Sequence, residues 1–297
     1  MSTFRLALHS VSYAGFWPGQ ARLDLPGFLA KARELGYGEV MLMAKRPHLS
    51  VLDHPPAEAR QLKQRLDDLG LKVACLAGYT EFAIGGDRPE IPLREMQILY
   101  VRELARLASE LGSPLVRVFT SYDSPHHSFD ATWRFTADAL RECAIRAAEF
   151  GVSIGVQNHH DFAVHHDLLA DLLDEIDHPA CGVMFDAWAP SLHGVDPVAG
   201  VRRLGGRILH TTVADYVKRP RFQYVPNLVN YEPRTDVVRA VPMGEGFIDH
   251  RAFFAALREV GYAGAVAYEM CSMLRGGGAV ENLDSAARRF REWMGQV

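Results

Sequence analysis

No apolar run in this sequence reaches the roughly 18 residues that a membrane-spanning helix needs, and the opening residues, Met-Ser-Thr-Phe-Arg-Leu-Ala-Leu-His, lack the basic-then-apolar order of a secretion signal. A soluble, cytoplasmic protein with no membrane partner is expected. Blocks of lysine or arginine are missing too. With a formal net charge of −4 and a pI near 6.3, the electrostatics give no reason to expect nucleic acid as a partner. Cysteine is scarce: Cys75, Cys143, Cys181 and Cys271 are scattered, with no CxxC pair, which argues against a structural zinc site or a disulfide framework and for reduced thiols. No GxGxxG follows the first strand-like run, so a dinucleotide-binding fold lacks its fingerprint.

What the chain does contain is regular alternation. At 297 residues and 48% hydrophobic content it can bury one large core, and a single domain spanning 1–297 is expected. Strand-like runs occur at 4–11, 38–44, 72–78, 114–120, 152–158, 181–186, 207–213 and 264–269. Amphipathic stretches lie between them: Leu25–Leu35, Pro56–Leu69, Leu93–Leu111, Phe129–Phe150, His166–Ile176, Pro197–Leu204, His250–Val260 and Asn282–Met294. Several stop at a glycine just past the last apolar residue, the usual helix stop. Apolar strands alternating with helices imply a parallel sheet with right-handed crossovers, and closure into a (β/α)8 TIM barrel is the economical reading, with a doubly wound open sheet as runner-up. The stretch Tyr216–Val241, rich in Tyr, Pro and Arg, reads as an extended loop between strands seven and eight, lying over the barrel mouth.

Four of the runs deliver a polar residue at their C-terminal end: Gln157, Asp186, His210 and Glu269. Side chains alternate faces along a strand, so Ser153, Gly155 and Gln157 share the face opposite Val152, Ile154 and Val156, and Ala265, Ala267 and Glu269 share the face opposite Val266 and Tyr268. Ile208, His210 and Thr212 likewise fall together. If these ends converge at the mouth, an amide, an imidazole and two carboxylates make a metal site or an acid/base site. Taken singly, Asp186 is also a natural helix cap and His210 a natural structural histidine.

Five segments in order, Val156-Gln-Asn-His-His-Asp161, Gly182-Val-Met-Phe-Asp186, Ile208-Leu-His-Thr-Thr-Val-Ala-Asp215, Met243-Gly-Glu-Gly-Phe-Ile-Asp249 and Tyr268-Glu-Met270, resemble motifs of the xylose isomerase-like TIM barrels. The resemblance spans nearly the whole chain and implies carbohydrate metabolism. It points to a sugar or keto-sugar isomerase or epimerase that abstracts a proton next to a carbonyl, with a divalent metal (Mn, Mg, Co or Zn) held by Gln157, Asp186, His210 and Glu269. Asp186 and Glu269 match the family pattern. Gln157 stands where a glutamate is expected, and strict alignment puts Thr212 rather than His210 at the third ligand position. An amide brings no charge to a metal and exchanges no proton. A lyase (a dehydratase or a keto-glycoside-cleaving enzyme) and a metal-free binding protein therefore stay open as alternatives.

The resemblance makes Glu269 the general base. His159 and His160 follow Gln157 directly, and His160 is the candidate for a second catalytic group, with loop residues as the plain alternative. His9, Lys45, Arg46 and His48 follow strands one and two and would ring the same mouth; His9, Lys45, His159 and Thr212 are candidate substrate contacts. Arg219 and Tyr224, from the Tyr/Arg-rich stretch, suit a sugar or cyclitol substrate, or alternatively a homo-oligomer contact. Arg275-Gly-Gly-Gly278 is either an anion cradle for a phosphorylated substrate or a flexible loop.

Overall fold

The structure, a computed structural model, describes residues 4–84 and 90–297. Its elements run β1 (Arg5–His9), α1 (Leu25–Glu34), β2 (Glu39–Met43), α2 (Pro56–Asp68), β3 (Lys72–Ala77), α3 (Leu93–Leu111), β4 (Leu115–Val118), α4 (Phe129–Ala148), β5 (Ser153–Gln157) and α5 (His166–Ile176). They continue with β6 (Cys181–Met184), α6 (Trp188–Leu192), α7 (Pro197–Leu204), β7 (Ile208–Val213), β8 (Asp215–Val225), β9 (Asn230–Val241), α8 (His250–Glu259), β10 (Ala265–Tyr268) and α9 (Val280–Met294). Eight strands close in the order β1-β10-β7-β6-β5-β4-β3-β2, so the fold is a TIM barrel and the open sheet is excluded. The end signals behave as their chemistry dictates. Ser128 caps α4 by accepting from the Ala131 N–H at 3.3 Å, and α3 stops where Gly112 turns left-handed at φ 75°.

Two shells of side chains hold the barrel. Outward-facing residues such as Val40, Val73, Val116, Ile154 and Val183 pack under the helices in one large core. Inward-facing Ala7, Met41, Cys75, Ala77, Leu115, Met184, Ala265 and Ala267 fill most of the interior, and most of the polar strand-end groups gather at the C-terminal mouth.

The stretch read as a loop between strands seven and eight is instead an antiparallel hairpin. β8 pairs with β9 from Asp215↔Val241 at its root to Val225↔Asn230 at its tip, with a register shift between Arg219 and Arg221. Prolines argue against a central strand because they lack the N–H, but a two-stranded ribbon consists only of edges, so Pro220 falls at the shift and Pro233 is accommodated. Phe222, Tyr224, Leu228, Val229 and Tyr231 stand exposed on this arm. A second addition is the short α6, which starts two residues after Asp186.

Candidate active site

A cavity of about 880 Å³ opens at the barrel mouth. His9 comes from the end of β1, Lys45 from just past β2, Arg117 from β4, Gln157 from β5, and Glu269 from just past β10, with Cys271 beyond it. Rings from Phe16, Tyr79, Phe119, Tyr122, Trp188 and Tyr216 form its walls, together with His159 and His160.

Asp186 lies behind Gln157. The Gln157 amide donates to Asp186 Oδ2 at 2.9 Å, while Asp186 Oδ1 accepts from the backbone N–H groups of Trp188 at 3.0 Å and Ala189 at 3.4 Å at the start of α6. Asn158 exchanges two hydrogen bonds with the Asp186 backbone, at 2.9 and 2.8 Å. Burial pushes the Asp186 carboxyl up to about 6, against the pull of the Gln157 amide, the α6 N–H groups and the Arg117 charge. Burial and then the Asp186 charge push Glu269 up to about 7, with Arg117 holding it back.

His210 is not at this level. It pairs in register with Met184, two residues below Asp186, after a register shift between Val183 and Met184. It borders a separate cavity of about 160 Å³ shared with Arg5, Ala74 and Ser153 from the opposite end of the strands. Its Nε2 has no partner, and burial, then the charges of Arg5 and Arg117, lower it to about 3. Thr212, level with Ala267, is fully buried with an unpartnered Oγ1 and does not line the mouth cavity. Arg219 and Tyr224 lie on the hairpin arm, where Tyr224 packs against Tyr231 with ring centroids 5.2 Å apart; neither borders the cavity.

These positions decide how well a divalent ion fits. Gln157 turns its amide N–H to Asp186, both Asp186 oxygens are engaged, the third position is a buried hydroxyl, and the imidazole sits a layer lower. Among the described residues, the one group of three His, Cys, Asp or Glu with ligand atoms within 4.8 Å of one another is His165, His166 and Asp167, at the start of α5. There His165 already caps the helix by accepting from the Asp167 N–H. The mouth residues do not fit a four-ligand metal site.

Of the remaining candidates, His160 is held at φ 64° and stacked between Tyr122 (3.8 Å) and Phe119 (4.5 Å). Its Nδ1 meets that of His159 at 2.7 Å. Burial above all, then mutual repulsion and Arg117, lowers His160 to about 3; burial and Arg117 lower His159 to about 4, so both are neutral near pH 7. His9 accepts from the Val11 N–H at 3.3 Å, and burial and Arg117 keep it neutral as well. His48 is structural, bridging Ser10 and the Leu23 carbonyl, and Arg46 is paired with Asp53. In the glycine-rich segment Arg275 is paired with Glu245, and the Arg275 and Gly277 N–H groups donate to the Ala240 and Leu274 carbonyls, which leaves fewer donors for an anion.

Sequence reasoning passed over Arg117. Its signal was a lone charge in Leu115-Val-Arg-Val118, on the same strand face as Leu115. Register places it beside Ala77 and Gly155, inside the barrel. It is 2% exposed, with its guanidinium 3.8 Å from the Phe119 ring centre and 4.7 Å from that of Tyr79.

Residues 29–294 match the family described as the xylose isomerase-like TIM barrel, and the chain belongs to that family. Members commonly use a divalent metal. Solved structures with the same fold include D-psicose 3-epimerase from Clostridium cellulolyticum H10 (TM-score 0.74, 15% identity, covering 99% of each chain). Another is 3-keto-D-glucoside 4-epimerase from E. coli (TM-score 0.73, 17% identity, covering 99% of this chain and 100% of that one). A third is the probable 3-DHS dehydratase involved in petrobactin synthesis from Bacillus anthracis (TM-score 0.72, 16% identity, 98% of each chain). No helix among the described residues is long and apolar enough to cross a membrane.

Proposed function

We propose that the chain is an enzyme that removes a proton from carbon next to a carbonyl in a sugar or keto-sugar, as an isomerase or epimerase, with Glu269 as the base. The observation that carries this reading is the shared cavity: Glu269 and Arg117 both line it, so a carboxylate and a buried cation can act on one bound molecule. Glu269 takes the proton from carbon, and the C–H electron pair moves to the carbonyl oxygen. Arg117 and Lys45 together bring two positive charges to the cavity, one more than is needed to offset the oxygen as it becomes negative. Return of the proton from Glu269 to the neighbouring carbon gives the isomer. Asp186 fixes the Gln157 amide, which orients a substrate hydroxyl. His9, His159 and Lys45 contact the substrate, and the neutral His160 relays a proton between oxygens. No step runs through a metal.

A lyase is the second reading, and Gln157 favours it. An amide opposite Glu269 cannot return a proton to the other face of the substrate, whereas elimination needs only one base and an acid for the leaving group. Incubating the protein with a panel of ketoses and 3-keto-glycosides in D₂O separates the two. A deuterated isomer supports isomerisation and an unsaturated product supports elimination; no deuterium uptake and no product across the panel would sink both.

A further inference from the structure

The two positive charges in the cavity have no carboxylate partner among the described residues, whereas other cations do. Lys31 is paired with Asp284, Arg106 with Glu103 and Glu110, and Arg46 with Asp53. Arg117 forms none of the ion pairs among the described residues, although it is 2% exposed, and its Nε and Nη1 are buried without an acceptor. Lys45, next in sequence to the paired Arg46, is also absent from those ion pairs. Its Nζ stands 3.7 Å from the centre of the Tyr79 ring that Arg117 also approaches, and 4.7 Å from that of Phe16. Aromatic faces attract each cation but cannot cancel two like charges held on one ring. Burial, then the charge of Arg117, depresses Lys45. Glu269 faces the same cavity but makes no ion pair with either cation.

We propose that Arg117 and Lys45 form an anion-binding subsite, so that the substrate presented to Glu269 carries a carboxylate. A buried guanidinium without a counter-charge is costly, and a ligand carboxylate removes that cost while giving the planar guanidinium a planar partner. A phosphate shares the chemistry, but the glycine-rich segment that would cradle one spends its Arg275 and Gly277 N–H groups on the Ala240 and Leu274 carbonyls, and Arg275 is paired with Glu245. Aromatic walls on several sides suit a ring-shaped body attached to the acid. The substrate class is thus a cyclic keto-polyol acid rather than a neutral sugar. This inference rests on Glu269's cavity being the reacting site.

Calorimetry with the isosteric pair benzoate and benzamide, and with inorganic phosphate, tests it on the purified protein. Benzoate is expected to bind about tenfold or more tightly than benzamide, and Arg117→Met to cost benzoate about tenfold with little change for benzamide. Lys45→Met, at the rim, weakens benzoate severalfold and needs no refolding control. Equal binding of the two probes, or unchanged benzoate affinity in both variants, overturns the subsite. Tighter binding of phosphate than of benzoate overturns the carboxylate assignment. Should Arg117→Met not fold, the ¹⁵Nε resonance of Arg117 in the unmodified protein decides: it shifts with benzoate and not with benzamide, or the subsite is wrong. Deuterium exchange keeps the two readings apart. Exchange on keto-sugars without preference for benzoate sinks the subsite alone; benzoate binding without exchange on neutral or acidic sugars sinks the enzyme reading alone.

Discussion

The Gln157 amide donates to the Asp186 carboxylate across 2.9 Å at the floor of the mouth cavity. One donor and one acceptor thus meet where two carboxylates would repel. Gln157→Glu replaces the donor with a second acid. The variant is expected to lose about 1–3 kcal/mol of stability, more at pH 8 than at pH 5, because like charges in contact favour sharing a proton. Thermal melts across that range check it, and a pH-independent difference would count against the arrangement.

Glu269 and Asp186 make stability fall as pH rises. Their folded values, about 7 and about 6, lie above the ordinary values of 4.5 and 3.8. Between the two sets the unfolded chain has released these protons while the folded chain still holds them, so raising the pH favours unfolding through the window from about 4 to 7 and adds nothing above it. Glu269→Gln is expected to flatten this decline and to gain about 1–3 kcal/mol at pH 8, while abolishing exchange of substrate protons. Denaturant titrations at pH 5 and pH 8 measure the first effect. Because the base must be ionised, the rate in the unmodified enzyme should climb with pH and level off above about 7.

Prolonged chelation is expected to leave the melting temperature and the proton exchange unchanged, since the mouth offers no four-ligand set. Metal analysis of protein purified without chelator, followed by melts with added Mn²⁺, tests this directly. One bound equivalent per chain with a gain in melting temperature would contradict it.

The Asp215 carboxylate clamps the return of the hairpin. Its Oδ2 accepts from Gly244 N at 2.9 Å and Gly246 N at 2.8 Å, and Oδ1 accepts from Tyr216 N at 2.9 Å. A Cβ at Gly246 would collide with that carboxylate. Gly246→Ala is therefore expected to cost about 2–4 kcal/mol, and Asp215→Ala a similar amount, by overpacking in one case and stranded N–H groups in the other. Urea unfolding of both variants provides the check; a loss under ~0.5 kcal/mol in either would show the clamp to be slack.

Much of this architecture was legible in the chain because local chemistry governs it. Period-two runs mark the barrel strands, and Gly112 and Ser128 bound helices by backbone conformation and capping alone. Alternation also placed Gln157 and Glu269 on the inner face, since phase is a property of one strand. The height of His210 is not: it depends on how β7 registers against β6, and the shift at Val183/Met184 is written in neither strand separately. The hairpin was hidden because its prolines read as loop residues until the sheet is known to have only two strands. Arg117 was overlooked for a related reason, as one charge in a four-residue strand acquires meaning only once register puts it in a cavity with Glu269.

Asp215 and Val241 are direct partners at the root of the arm, so the chain departs from the barrel and rejoins it through adjacent positions. Closure of the eight-stranded ring is therefore indifferent to how long the excursion is. The root acts as a docking port beside the mouth, through which segments of other length or chemistry could be grafted without rebuilding the scaffold that holds the reacting groups.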